Sequence, residues 1–398
     1  MSITLKAPGD YSSAHGDLIF VVYEATHATD PSTYPDYKYI AYIFIGSSTT
    51  PVARLVRVPR PDNKMGVFNI GDIVRNYVSA VFNPAPNALL AQETGENEFF
   101  VNASVHIAEE YGGNEHPAIG DDTDRYKDDV RTYFNHYNGR LIGNTTNLAA
   151  YTNKVVSTRP QANYINTGDA FCLLPYFPIA TSGVAVQVKA YAGSTLQGTY
   201  NGTVTPSAAN NLQILNVAAN AINASAGSLI NAATTHYTVQ VNSGVIYTFT
   251  LTCEAVYTNY TLHFLNRFGG FESRNFSKVS RKTIDIIKTD FGRLPYTIDA
   301  SGNVSYYNSN KVYCETRTTY ASQYKEKMIL NTDILTDEEY QWLADLILSP
   351  LVYMEMNGFF IPIAITGNNY EFKKRVNDKL TNLTINVEFG EQFNAQFR

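Results

Sequence analysis

The chain has 398 residues, of which 44% are hydrophobic and only 17% charged, with 29 Tyr, 21 Phe and a formal net charge of −6. That length exceeds the roughly 100–200 residues of one typical domain, so two or three domains with cores of their own are expected. The 30 basic and 36 acidic residues are scattered, which excludes a basic nucleic-acid footprint, and the shift from charge to Tyr suits wide protein interfaces, where Lys and Glu are depleted.

Residues 1–10 lack the apolar core of a secretory signal, and the longest apolar runs, 18–23 and 39–45, are too short to span a bilayer. A soluble protein made in a cytoplasm, without membrane insertion, is expected. Both runs read as interior strands covered on two faces. Asn69 followed by Ile70, Ile73, Val74, Tyr77, Val78 and Val81 predicts a capped helix over 70–81 that covers a sheet. Val101, Ala103, Val105 and Ile107 alternate with polar residues, as in a strand with one wet face. The polar stretch 108–140, with its acidic segment 120–129, reads as a long exposed loop.

Near residue 180 charge almost vanishes and Asn, Ala, Ser, Thr and Gly take over. Val184, Val186 and Val188 alternate, and Val239 and Val241 lead through Asn242-Ser243-Gly244 into Val245, Tyr247, Phe249 and Leu251, a hairpin pattern. Residues 212–222 fit either helix or strand, and 207–229 reads as a segment too poor in apolar residues to order itself.

Further on, 296–300 and 303–307 flank the turn Ser301-Gly302, and 352–356 and 359–363 flank Asn357-Gly358, the strongest short hairpin signal. Between them Thr336 and Glu339 form a capping box. Tyr340, Leu343, Ala344 and Ile347 give that helix, 336–348, its apolar stripe, which turns Trp342 and Asp345 outward. Leu383, Ile385, Val387 and Phe389 alternate in a last strand. The fold class is mainly β: multidomain antiparallel β-sandwich or barrel modules with a few short helices, strand exceeding helix about two to one. The domains are a β-rich domain with a covering helix (1–180), an immunoglobulin- or fibronectin-like sandwich (181–265) and a β-meander domain with one helix (266–398).

Catalytic signatures such as GxSxG, HExxH or a P-loop do not occur. His15, His27, His106, His116, His136, His236 and His263 show no metal-ligand spacing and read as surface or satisfied core residues. Asp122, Asp124 and Asp128 offer oxygen ligands, but Tyr126 and Lys127 break the calcium-loop pattern. Glu109 and Glu110 are adjacent and point to opposite faces of a strand, so they make no acid/base pair. Cys172, Cys253 and Cys314 lack CxxC spacing and read as small buried apolar residues of a reduced protein. No catalytic residue, cofactor or metal is expected.

The segment 257–276, with Phe268-Gly269-Gly270-Phe271 after a strand ending in Leu265-Asn266, resembles tail and neck proteins of Bacteroidetes phages, including the ring proteins of crAss-like phages. Residues 8–12, 68–77, 105–113 and 335–389 carry the same resemblance, whereas the Ala/Asn/Ser/Thr-rich middle does not. The resemblance implies a virion component assembled in the bacterial host cytoplasm. It would be a homo-oligomeric ring, joined to other tail or neck proteins by strand addition and aromatic contacts, without specific nucleic-acid binding. Phe268, Gly269, Gly270, Phe271 and Trp342 are the interface candidates. The alternative is a receptor- or glycan-binding tail accessory, with a glycan-cleaving enzyme third.

Overall fold

The computed structural model describes residues 3–116, 126–127, 129–137, 151–178, 180–252, 257–307, 310–367 and 381–396. The candidate calcium ligands Asp122, Asp124 and Asp128 lie outside them, as does Cys253. The protein is mainly β, with 50% strand and 9% helix in several antiparallel sheets of sandwich-like arrangement. Strand outweighs helix well beyond the expected two to one because half of the chain is strand. The chain forms two compact units. The first comprises Met1–Glu254, His263–Arg274 and Gln341–Pro350, and the second Ala255–Leu262, Asn275–Tyr340 and Leu351–Arg398.

Among the described residues of the first unit lie a small cluster of Ile40, Tyr42, Phe44 and Ala108 and two large apolar cores. In one, a sheet of Ile3–Lys6, Ile19–Glu24 and Gly66–Asn69 shares its interior with a larger sheet in the order Tyr11–Ser13, Arg131–Phe134, Phe100–Tyr111, Lys38–Ile45, Ala53–Arg57. The alternation in 101–107 is realised: Val101, Ala103, Val105 and Ile107 are all buried. Lys38–Ile45 is buried on both faces, as its composition requires. Ile19–Glu24 is covered on one face only, with Phe20 and Val22 inside and Ile19 exposed, which corrects the two-sided expectation. An unbroken apolar run does not report how many layers cover it.

The expected helix 70–81 is reduced to Gly71–Val74 and a 3-10 turn, Arg75–Tyr77, after which Val78 is extended. Asn69 Oδ1 still accepts the Gly71 N–H at 3.0 Å. Tyr77 and Val81 are exposed while Val78 is buried in the core, so the second half of the stripe does not act as one helical face. The stretch 108–140 is not simply a loop, because it contains the strands Asn114–His116, Tyr126–Lys127 and Arg131–Phe134, and Tyr133 and Phe134 are core residues.

The second core lies between a sheet in the order Lys154–Val155, Leu173–Phe177, Leu212–Asn216, Leu90–Thr94 and one in the order Ala162–Asn166, Ile246–Thr252, His236–Val241, Val184–Ala192, Thr195–Val204. The hairpin at Asn242-Ser243-Gly244 forms, pairing Val239 with Tyr247. The segment 207–229 is ordered, contrary to expectation: Leu212–Asn216 is buried throughout and the helix Ala219–Ala226 buries Ala221 and Ile222. Full burial of each such Leu or Ile contributes about 1.5–3 kcal/mol, so a few well-placed side chains offset a polar composition. Cys172 is buried, but Cys314 is only half-buried, which corrects its assignment to a core.

In the second unit five strands pair in the order Val352–Met356, Phe359–Ile365, Thr381–Gln396, Arg317–Leu335, Arg281–Gly292. Asn357 and Gly358, at φ 52° and 79°, close the hairpin with two left-handed residues, the reason Asn-Gly is favoured there. Leu383, Ile385, Val387 and Phe389 are buried as their alternation predicts. The capping box also forms: the Glu339 N–H donates to Thr336 Oγ1 at 3.2 Å and the Thr336 N–H to Glu339 Oε2 at 3.0 Å. Thr336→Ala is therefore expected to cost about 0.5–2 kcal/mol of stability in urea unfolding, and an unchanged midpoint would mean that the cap carries no weight.

Candidate assembly surface

Four of the five residues singled out by sequence meet at one turn in the first unit. Gly269 N–H donates to Asn266 O, and Asn266 Oδ1 accepts the N–H groups of Phe268 and Gly270, each at 3.0 Å. Gly269 has φ +85°, and a Cβ there would collide with the Asn135 carbonyl oxygen, so glycine is required. At Gly270 an added Cβ would sit 2.5 Å from Pro175 Cβ. Phe268 is half-buried, stacked on His136 at 5.5 Å, while Phe271 is buried against Phe82 at 4.7 Å.

Trp342 does not face outward, as the helical stripe implied, and neither does Asp345: both are buried. The helix is interrupted at Leu343, giving Asp337–Trp342 and Ala344–Leu348, so one continuous stripe no longer defines the outer side. Polar partners distant in sequence receive both residues. Trp342 Nε1 donates to Glu272 Oε2 at 2.5 Å, the Arg159 guanidinium lies 4.3 Å from the Trp342 ring, and Arg267 Nε donates to Asp345 Oδ1 at 2.7 Å. Burial holds the Glu272 carboxyl above the usual carboxylate range, with Arg159, Asn266, Ser157 and Trp342 opposing that rise. Phe271 and Trp342 thus contribute to the interior of the first unit and present no surface.

The large exposed apolar surface lies in the second unit instead. Of the 26 exposed large apolar side chains among the described residues, 13 fall between 279 and 320, against the scatter normal for a solvated surface. Arg281–Gly292 is the end strand of its sheet, bonded along Arg317–Leu335 from Arg281 opposite Ile329 to Gly292 opposite Arg317. Its 12 residues extend about 40 Å at the usual rise per residue. Apolar side chains project from both faces, Ile284 and Ile286 on one and Ile287, 61% exposed, on the other.

On the first of these faces Ile284, Ile286 and Lys288 line a shallow groove of about 260 Å³ with Ser322, Tyr324 and Glu326. Cross-strand ion pairs, Lys282 to Glu326 at 2.6 Å and Lys327 to Asp285 at 2.5 Å, hold the register, although such exposed pairs contribute little stability. Beyond this strand Leu294, Ile298 and Tyr313 are also exposed, Tyr313 at 76%. This surface escaped the sequence reading because the run Thr283-Ile284-Asp285-Ile286-Ile287-Lys288 has the composition of a covered strand. Its only warning was the presence of Ile on both parities beside charged residues.

No protein-family profile matches the chain, and no curated protein matches it. Among solved structures it is similar to invasin, a bacterial integrin-binding protein, at 10% sequence identity and a TM-score of 0.23, over 82% of this chain and 57% of that one. At that TM-score the likeness assigns no role.

Proposed function

We propose that this chain is a structural component of a bacteriophage virion, a ring or hub protein of the tail or neck that works by packing into an oligomer. The observation that carries the proposal is the long end strand Arg281–Gly292, apolar on both faces and exposed along its length. Such an edge is an aggregation hazard in a free monomer and a ready template for strand addition in an assembly. A ring uses head-to-tail contacts in which one subunit's edge meets a different surface of the next, and closure of the ring leaves no hazardous edge. The resemblance of 257–276 and the four other segments to Bacteroidetes phage tail and neck proteins supplies the virion context. No chemistry beyond burial of this surface is needed for such a role.

The test is imaging and mass photometry of the purified chain, alone and with the other virion proteins, for the wild type and for Ile286→Lys with Ile287→Lys. The wild type is expected to form closed oligomers or to enter particles. The double variant is expected to stay monomeric with its melting temperature within about 2 °C, since surface substitutions rarely exceed 0.5 kcal/mol. A wild-type chain that remains monomeric among those proteins, or a double variant that assembles equally well, would overturn the proposal and favour a receptor- or glycan-binding accessory.

A further inference from the structure

We propose that Glu24, His27 and Glu109, in the first unit, form a binding site for one divalent transition cation. Each offers a ligand atom, and these atoms lie within 4.8 Å of one another. Glu24 ends the strand Ile19–Glu24, His27 opens the 3-10 turn after it, and Glu109 comes from the long strand Phe100–Tyr111, so residues 82 positions apart converge. The spacing rules applied to the histidines miss the group for that reason: only one ligand is a histidine, and its second acidic neighbour is distant in sequence.

The geometry fits an ion. His27 Nδ1 and Glu109 Oε2 are 2.7 Å apart, and two donors at about 2.1 Å from one metal with that separation subtend about 80°, close to the right angle of neighbouring ligands in an octahedral or five-coordinate site. Ligands on opposite sides of an ion span about 4.2 Å, so a small side-chain adjustment closes the remaining distance. The His27 ring is walled by Tyr34 at 4.1 Å and Tyr111 at 5.6 Å, which restrict its motion.

The burial and charge of the group point to a cation. Glu109 is fully buried, with the buried Tyr37 hydroxyl beside it as a side-chain hydrogen-bond partner. Among the described residues neither Glu24 nor Glu109 has a lysine or arginine partner, because Lys38 and Arg54 pair with Glu110 on the opposite face of the strand. Glu24 Oε2 accepts the backbone N–H groups of Thr26 at 2.8 Å, of His27, and of Ala28 at 3.4 Å, which fixes its carboxylate towards the turn. The two buried carboxylates face one imidazole and no ammonium or guanidinium, and a divalent cation would supply the positive charge that the group lacks. One imidazole with two carboxylates suits Zn²⁺ or Mn²⁺.

The experiment strips the full-length protein with a chelator and titrates ZnCl₂ and MnCl₂ by calorimetry, with metal content and melting temperature as independent readouts. About one ion per chain and a rise of roughly 5 °C at a hundredfold excess over Kd are expected. His27→Gln, at a partly exposed position where folding should survive, and Glu109→Gln should each lower affinity at least tenfold, whereas His236→Gln on a remote strand should not change it. Failure of the wild type to bind either ion at about 1 mM, or equal binding by His27→Gln, would overturn the site. A destabilising Tyr37→Phe would then show that the tyrosine hydroxyl, His27 and the turn N–H groups satisfy the two carboxylates without an ion.

Discussion

Lowering the pH from 7 to 4.5 is expected to remove on the order of 5 kcal/mol of stability from the first unit. His136 and His263 are both buried there, 2% and 0% exposed. Burial lowers the His263 pKa to about 3, and burial together with the charges of Arg267 and His15 lowers that of His136 to about 4. In the unfolded chain both titrate near 6.5, so between that pH and their folded values the unfolded state binds more protons than the native state. Stability is therefore complete above 6.5 and is lost as the pH falls, by about 1.4 kcal/mol per histidine per pH unit. Glu272 acts with the opposite sign: its raised pKa means that the native state takes up a proton first, which offsets part of the loss.

The surroundings explain why these histidines are neutral. His136 stacks on Phe268 beside a cavity of about 10 Å³, room for about one water, lined by Phe99, Phe134, Tyr151 and Phe177 among others. His263 lies 5.0 Å from Phe82 and 5.3 Å from Phe171, ring to ring. From its spacing every histidine reads as a surface or satisfied core residue, but His136 has no hydrogen-bond partner on either ring nitrogen. Urea unfolding at pH 7 and pH 4.5, followed by fluorescence of the single Trp342 in the same unit, measures the loss. His136→Phe and His263→Phe should flatten the pH dependence, and unchanged slopes in both variants would assign acid sensitivity to other groups.

Removing the Glu272 side chain should be the most damaging single substitution, with Glu272→Ala costing about 3–5 kcal/mol. The carboxylate is fully buried and accepts hydrogen bonds from Asn266 Nδ2 and Trp342 Nε1, each at 2.5 Å, with Arg159 Nε 3.8 Å from Oε2. Its loss would leave the Arg159 guanidinium buried among Cys172 Sγ at 3.3 Å and the Ser273 carbonyl at 2.6 Å without a counter-charge. Arg159→Ala would strand the carboxylate in turn. The double variant should therefore cost less than the sum of the two single ones, with a coupling of about 1–3 kcal/mol measured by circular dichroism in urea. Strict additivity would mean that the two charges do not stabilise each other.

Local chemistry was legible from the sequence. The Asn357-Gly358 hairpin, the capping box of Thr336 with Glu339, the alternating strands at 101–107 and 383–389 and the mainly β class all follow from interactions between residues close in the chain, where composition and spacing are sufficient.

What tertiary structure alone decided is which faces are covered and which distant groups meet. Ile287 and Val188 read alike in sequence, yet Val188 lies inside a sandwich and Ile287 on an open edge, because burial depends on a second layer that no local pattern encodes. Trp342 turned inward because Glu272 and Arg159 await it, and Tyr133 and Phe134 joined the core because the Phe100–Tyr111 strand pairs with them. Glu24, His27 and Glu109 became a group only when two strands from different sheets brought them together. Electrostatic and packing partners act through space, and for this chain they join residues separated by tens to hundreds of positions.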